Sequence, residues 1–239
     1  MNAYSIIIPS RNIDNLLACI KAVRAAGETG RVIVLWDDGF ELPMMQRRRE
    51  LEALDVMILH CDTPFGFARN CNIGIRAAAP DGVVLLNDDA LLDWACGFFV
   101  LQCFDFLGKW GVAGATTNVT GHRQQMRLGV FGQACGMREV QRIAFVCVYI
   151  PRRTLDTVGL LDERFCGPGV YGGEDVDYCL RVQQAGLKVG VSDLCFVDHA
   201  KLKSTFRGAH PTNGAPGDIR ESNRIGREKW GDKWPKLGA

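Results

Sequence analysis

Tyr4-Ser5-Ile6-Ile7-Ile8 runs into Pro9-Ser10-Arg11-Asn12, and Arg31-Val32-Ile33-Val34-Leu35-Trp36 runs into Asp37-Asp38-Gly39. Between these two apolar stretches, Ile13 to Ala26 carries Leu16, Leu17, Ile20 and Val23 on one face of a helical repeat. Strand, helix and strand of these lengths make a parallel crossover unit, because parallel neighbours need a connection of about a dozen residues or more. Both strands then end at the same edge of one sheet. That edge is polar in each case.

A third strand follows the same plan. Val83-Val84-Leu85-Leu86, bounded by Asp81-Gly82 and by acids, reads as a fully buried strand. Asn87-Asp88-Asp89 stands at its carboxyl end, where open α/β sheets place ligands. Adjacent carboxylates repel unless a cation or a donor neutralises them. Mg²⁺ or Mn²⁺ bridging a substrate diphosphate does so through one or two protein carboxylates. The competing reading is a solvated turn in which an Asp caps a helix ahead of Leu91.

Gly172-Gly173-Glu174-Asp175-Val176-Asp177-Tyr178-Cys179-Leu180-Arg181 places three carboxylates at the start of a helix, after the run Gly167-Pro168-Gly169. A helix N-terminus presents free N–H groups and partial positive charge, so acids are stabilised there. The glycines in front allow another molecule to approach the backbone closely. The set suits a general base beside a polyhydroxyl acceptor. It equally suits an acidic helix start with Asp177 and Arg181 as an i,i+4 surface pair.

The motifs in order are Ser5-Ile6-Ile7-Ile8-Pro9, Trp36-Asp37-Asp38-Gly39, Gly66-Phe67-Ala68 with Asn72-Ile73-Gly74, Leu86-Asn87-Asp88-Asp89, Val158-Gly159-Leu160-Leu161-Asp162-Glu163-Arg164-Phe165 and Gly173-Glu174-Asp175-Val176-Asp177. Together they resemble the family-2 inverting glycosyltransferases, over residues 4 to 200, and look most like the rhamnosyl- and glucosyl-transferring members. The resemblance implies a single-domain, Rossmann-like type-A nucleotide-sugar fold with a mostly parallel central sheet flanked by helices. It implies that Pro9 and Ser10 line the nucleotide base, with Arg11 and Arg69 also on the nucleotide sugar. Asp38 matches the acid that accepts a hydrogen bond from the base, usually uracil. Asp88 and Asp89 match the acidic motif for ribose and metal, Asp89 being the metal ligand. Asp175 matches the catalytic base, and Glu174 its neighbour at the acceptor. Asn87 stands where the motif usually has Asp, which leaves a single strong acid-to-metal contact.

His199 follows Phe196-Val197-Asp198, where many members place a further metal ligand. A core or turn histidine is the alternative. An imidazole and a carboxylate with a diphosphate suit Mn²⁺ as well as Mg²⁺. The metal neutralises the leaving diphosphate. A base that removes the acceptor proton contributes roughly 10²–10⁴-fold in rate. Asp89 and Asp175 would then divide the two tasks, and in-line attack would invert the anomeric centre.

Composition agrees. The chain of 239 residues is 47% hydrophobic, enough for one α/β domain with a sizeable core, and its net charge of +1 gives no whole-chain argument for nucleic acid. None of the ten cysteines forms a Cys-x-x-Cys pair, which argues against zinc and thioredoxin-like chemistry; most sit in apolar surroundings, as buried thiols in a reducing compartment do. There is no leader-like start and no apolar run near about 18 residues, so the expectation is a cytoplasmic, soluble protein.

Residues 1–239 read as one domain: a nucleotide-sugar-binding half over 1–115, an acceptor-binding and catalytic half over 116–199, and a basic tail over 200–239. Helices are predicted at 43–54, 67–79, 93–107, 152–158 and 219–230, a strand at 142–150, and a hairpin or flexible loop over 116–142. The tail carries nine Lys/Arg against four Asp/Glu, with Trp230 and Trp234. It reads as a solvated helix pinned by its tryptophans, a lid over the donor diphosphate, or a patch for an anionic acceptor. Asn118-Val119-Thr120 is only formally a glycosylation sequon.

The function implied is metal-dependent transfer of a glucose-like sugar, UDP-linked in donor form, to a hydroxyl of a glycan or a lipid-linked intermediate. A hydroxymethylated base in DNA is an alternative acceptor. A non-catalytic sugar-nucleotide-binding protein is the alternative outside enzymes. A dehydrogenase would need Gly-x-Gly-x-x-Gly after the first strand, and a nucleotidyltransferase a glycine-rich basic loop; Pro9-Ser10-Arg11-Asn12 is neither.

Overall fold

A computed structural model describes residues 4–36, 46–61, 66–93, 97–98, 101, 109–118, 136–167, 170–202 and 219–237. Among the described residues nine strands form one sheet: β1 (Tyr4–Ser10), β2 (Arg31–Trp36), β3 (Val56–His60), β4 (Gly82–Leu86), β5 (Leu91–Leu92), β6 (Trp110–Thr117), β7 (Met137–Val140), β8 (Cys147–Ile150) and β9 (Lys188–Asp198). Their order is β3-β2-β1-β4-β8-β6-β9-β5, with β7 also on β9. Among the described residues the α-helices are α1 (Ile13–Ala25), α2 (Arg48–Glu52), α3 (Phe67–Ala77), α4 (Arg152–Val158), α5 (Glu174–Gln184) and α6 (Ile219–Trp230).

β3, β2, β1 and β4 are parallel, in a register that sets Ile7 opposite Ile33 and Leu85. β8 inserts antiparallel between β4 and β6, and β9 runs parallel to β6. Most registered residue pairs are parallel, as expected for this fold. Two antiparallel steps restore direction, so the carboxyl ends of β1, β2, β4, β6 and β9 all lie on one edge.

The period-2 alternation of β1 explains the layering. Ile6 and Ile8 face a core with Leu16, Leu17, Ile20 and Val23 of α1. Ile7 faces the opposite core, with Ala68, Cys71 and Ile75 of α3, Leu155 of α4 and Tyr178 of α5. Each such fully buried aliphatic side chain contributes about 1.5–3 kcal/mol. α1 starts where Asn12 accepts hydrogen bonds from the N–H groups of Asp14 and Asn15 through its side chain, at 3.1 and 3.2 Å. Gly74 lets α3 lie close on the sheet, since a Cβ there would stand 2.6 Å from Ile7 Cγ2.

Some expected boundaries shift. The predicted 43–54 helix is the short α2 within its described part, and the 67–79 helix ends at Ala77. The 142–150 strand begins only at Cys147. The 93–107 helix falls largely outside the described residues. The segment expected to be a hairpin or loop from 116 holds the end of β6 and all of β7, with 119–135 outside the described residues. β6 has Gly111 and Gly114 and few large side chains, which hid its strand character from pattern reading. No described helix is long and apolar enough to cross a membrane.

Candidate active site

The polar edge of the sheet gathers the candidates. Pro9 and Ser10 end β1, in register with Leu35 and Trp36. Ser10 Oγ donates to Asp88 Oδ2 at 2.6 Å and accepts from the N–H of Asn12 at 3.2 Å. Ser10 and Asp88 are both fully buried. Two residues expected on the nucleotide therefore also hold each other, tying the β1 loop to the turn after β4. Arg11 follows this loop, half-buried. Arg69 lies in the first turn of α3; that helix runs into β4 in the opposite direction, so its start faces the same edge. Asp38 lies outside the described residues.

Asn87-Asp88-Asp89-Ala90 form a turn closed by the Ala90 N–H donating to the Asn87 carbonyl at 3.1 Å. This turn carries the chain to β5, which pairs antiparallel with β9 so that Leu91 stands opposite Asp198. The pairing brings Asp89 to His199, with Asp89 Oδ1 3.1 Å from His199 Nε2. Asp89 is almost wholly buried and His199 mostly so.

A carboxylate oxygen and an imidazole nitrogen in contact fit a divalent cation that is shared with a substrate phosphate. Among the described residues no group of three His, Cys, Asp or Glu side chains surrounds a common point, so the other donors would be phosphate and water. Asn87 Oδ1, in the same turn, is buried with no hydrogen-bond partner among the described residues.

Asn118 orders this corner. Its Oδ1 accepts from the His199 N–H at 2.9 Å, and its Nδ2 donates to Asp198 Oδ1 at 3.0 Å. Burial raises the Asp198 carboxyl, but hydrogen bonds from Asn118, the Ala200 N–H and Lys201 outweigh it and leave the group below its ordinary value. Sequence reading saw Asn118 only as part of a sequon. The usable signal was its place just past a strand ending at the ligand edge, and that strand was not foreseen.

Glu174 and Asp175 open α5. α5 leads into β9 in the opposite direction, so its N-terminus lies at the edge that holds Asp89 and His199. Gly172 (φ 73°) and Gly173 (φ 104°) turn the chain into the helix. A side chain at Gly173 would also strike Phe165, 2.9 Å from its Cδ1. Asp175 Oδ1 accepts from the Val176 N–H at 2.7 Å. Burial pushes the Glu174 carboxyl up to about 8, and the neighbouring Asp175 adds to the rise against a smaller effect of its own backbone N–H. Near neutral pH Glu174 thus keeps its proton and can donate a hydrogen bond.

Asp177 is not on the surface as an i,i+4 pair would suggest. It is fully buried; Arg181 Nε binds its Oδ2 at 2.8 Å, while Trp230 Nε1 and Lys229 Nζ of α6 bind its Oδ1 at 2.8 and 2.7 Å. A charged, tryptophan-bearing helix, α6, thus covers this side of α5. Two further motifs meet directly: Asn72 donates to the Leu161 carbonyl at 2.9 Å and to Glu163 at 2.8 Å, and accepts from the Leu161 N–H at 2.9 Å.

Solved structures share this architecture. S. aureus TarS residues 1–349 superimpose with a TM-score of 0.60 at 13% identity, over 87% of this chain and 61% of that one. The same TarS piece in complex with UDP gives 0.57 at 15%, over 82% and 60%, and a longer TarS chain gives 0.59 at 13%, over 87% and 37%. The chain thus spans about three fifths or less of the TarS chains it resembles. At these identities the likeness is one of fold. No curated protein matches the chain by sequence. The sequence profile of glycosyl transferase family 2 matches residues 5–125, just over half of the chain and the whole stretch from β1 through the Asp88-Asp89 turn to Asn118. With that match on the strand-end motifs, the chain belongs to glycosyl transferase family 2.

Proposed function

We propose that this protein transfers a sugar from a nucleoside diphosphate sugar, a UDP-sugar before others and UDP-glucose first among them, to an acceptor hydroxyl with inversion at the anomeric carbon. The observation that carries the reading is one sheet edge holding a carboxylate–imidazole contact, Asp89 with His199, and two adjacent carboxyl groups at the start of α5, Glu174 and Asp175. Family membership supports the reaction class, and the UDP complex of TarS supports the nucleotide.

In this reading Pro9, Ser10, Arg11, Asp38, Arg69 and Asp88 hold the nucleotide sugar. Asp89 and His199 hold Mn²⁺ or Mg²⁺, which when bound neutralises the departing diphosphate. Asp175 takes the acceptor proton, and Glu174, in its protonated form, donates a hydrogen bond to the acceptor. The acceptor class is a glycan or lipid-linked hydroxyl. The cations that favoured DNA are partly committed within the protein, since Arg224 pairs with Glu221 and Glu228, and Lys229 with Asp162 and Asp177. Seven described cysteines are free thiols, which supports a reducing, cytoplasmic setting.

The test is release of the nucleoside diphosphate, UDP or dTDP, from a panel of UDP- and dTDP-sugars by the purified chain, with Mn²⁺ and with EDTA. Metal-stimulated release that Asp175→Asn abolishes is the expected result. Binding of UDP without release from any donor would instead mark a sugar-nucleotide-binding protein.

A further inference from the structure

α6 and the residues after it touch the catalytic turn on both sides of Glu174-Asp175. Before the pair, Ser222 Oγ donates to the Tyr171 carbonyl at 2.8 Å. At the turn itself, Trp234 stacks on Phe165 with ring centroids 5.3 Å apart and planes 12° apart. A Cβ on Gly173 would stand 3.3 Å from Trp234. After the pair, Trp230 and Lys229 bind Asp177. Phe165, Val170, Val176, Ile225 and Trp234 form a small core of their own beneath these contacts.

Lys229 reaches further. Its Nζ also binds Asp162 Oδ2 at 2.7 Å, and Asp162 opens the segment that Asn72 tethers to α3. The hydrogen bond from Arg164 holds the Asp162 carboxyl well below the usual range, against a smaller effect of burial, and Lys229 adds to the lowering. One ammonium thus bridges two carboxylates on either side of the double-glycine turn. A turn built on Gly172 and Gly173 has little conformational restraint of its own, so these outside contacts must fix it.

We propose that α6 is a brace that sets the position of Asp175, with Lys229 and Trp230 as positioning residues for the transfer step. It rests on the role proposed above for Asp175. Burial of Asp177 requires its charge to be matched, and both α6 donors meet that requirement only in the docked arrangement. Because a shift of about 1 Å at a reacting group costs about 10²-fold in rate, a loosened turn should be read in turnover before it is read in binding. Gly226 sets the docking: a Cβ there would stand 2.0 Å from Trp234 Cε2, so Gly226→Ala displaces the stacked ring without removing a charge.

The experiment compares Lys229→Met, Lys229→Arg, Trp230→Phe and Gly226→Ala with the parent chain. Three readouts are taken: UDP release from the UDP-sugar that the parent turns over fastest, UDP affinity by calorimetry, and amide hydrogen exchange. Expected are kcat values about tenfold lower in Lys229→Met and Gly226→Ala, unchanged UDP affinity, and partial recovery in Lys229→Arg. Amides of 173–178 should exchange about tenfold faster, with those of β1 and β4 unchanged. Parent-like exchange over 173–178 in Lys229→Met and Gly226→Ala overturns the brace, as does a fall in UDP affinity that matches the fall in kcat. Asp175→Asn is run alongside: if it turns over at the parent rate, the role of Asp175 fails, while the exchange readout still decides whether α6 orders the turn.

Discussion

His199 Nε2 lies 3.1 Å from Asp89 Oδ1 although 110 positions separate the two residues. The contact follows from topology. The turn after β4 feeds β5, β5 pairs with the end of β9, and His199 is the residue just past that end. A contact set by the sheet itself is pre-organised, so a cation binding there need not order the ligands first.

The metal prediction follows from that geometry. Asp89→Ala should weaken Mn²⁺ binding in the presence of UDP by at least about tenfold, and His199→Ala by less, because the hard carboxylate is the stronger ligand for such ions. Electron paramagnetic resonance of free Mn²⁺ reads both, without need of turnover. Undiminished UDP release in EDTA would remove the metal from the mechanism.

Asn118→Ala deletes two hydrogen bonds and leaves the buried end of β9 short of partners. At about 1 kcal/mol for each net bond, a loss of about 1–2 kcal/mol in stability is expected. Mn²⁺ affinity should fall as well, since the His199 backbone is no longer held. Asn118→Asp should be worse, because it sets a carboxylate against Asp198. Urea melts together with Mn²⁺ titration check both, and a variant with parent Mn²⁺ affinity would limit Asn118 to stability.

Much of this was legible in the chain and some was not. β1, α1, β2 and β4 announce themselves because a doubly buried parallel strand must be continuously apolar and its covering helix must be amphipathic. The acids at strand ends were legible for a related reason: an Asp beside a run such as Val83 to Leu86 needs a donor or a cation to match its charge. β6 was not legible, since Gly111, Gly114, two alanines and two threonines pack by closeness rather than size. Asn118 was lost with it. The docking of α6 was hidden differently. Ile225 is the one large aliphatic side chain it buries, and burial of Asp177 against Lys229 and Trp230 is a tertiary choice that no local pattern encodes.

Glu174 makes a pH prediction. Burial pushes its carboxyl up to about 8 in the fold, with the Asp175 charge adding to the rise, against 4.5 for a free glutamate. Between those values the folded chain keeps a proton that the unfolded chain has lost. The folded state therefore binds more protons, and stability falls as pH rises through this window. Glu174→Gln, a mimic of the protonated form, should flatten the decline and be the more stable chain above pH 8. Thermal melts from pH 5 to pH 9 read the difference. Parallel curves for parent and variant would mean that Glu174 is ionised in the fold like an ordinary surface acid.

Asp175→Asn decides the catalytic assignment. The amide keeps the size of the carboxylate and can still accept from the Val176 N–H, so the start of α5 should hold and thermal stability should change little. It cannot accept an acceptor's proton at neutral pH. UDP affinity should survive, because the nucleotide is assigned to the ends of β1, β2 and β4. Transfer should fall by roughly 10²–10⁴-fold, the range assigned to loss of a general base. Glu174→Gln at pH 7 should be much milder, since it preserves the hydrogen-bond donor that the raised carboxyl supplies there. Parallel measurement of UDP affinity and initial rate in the two variants separates binding from chemistry. Equal damage from both substitutions would show that the pair acts as one unit, and parent-rate transfer by Asp175→Asn would remove that residue from the reaction.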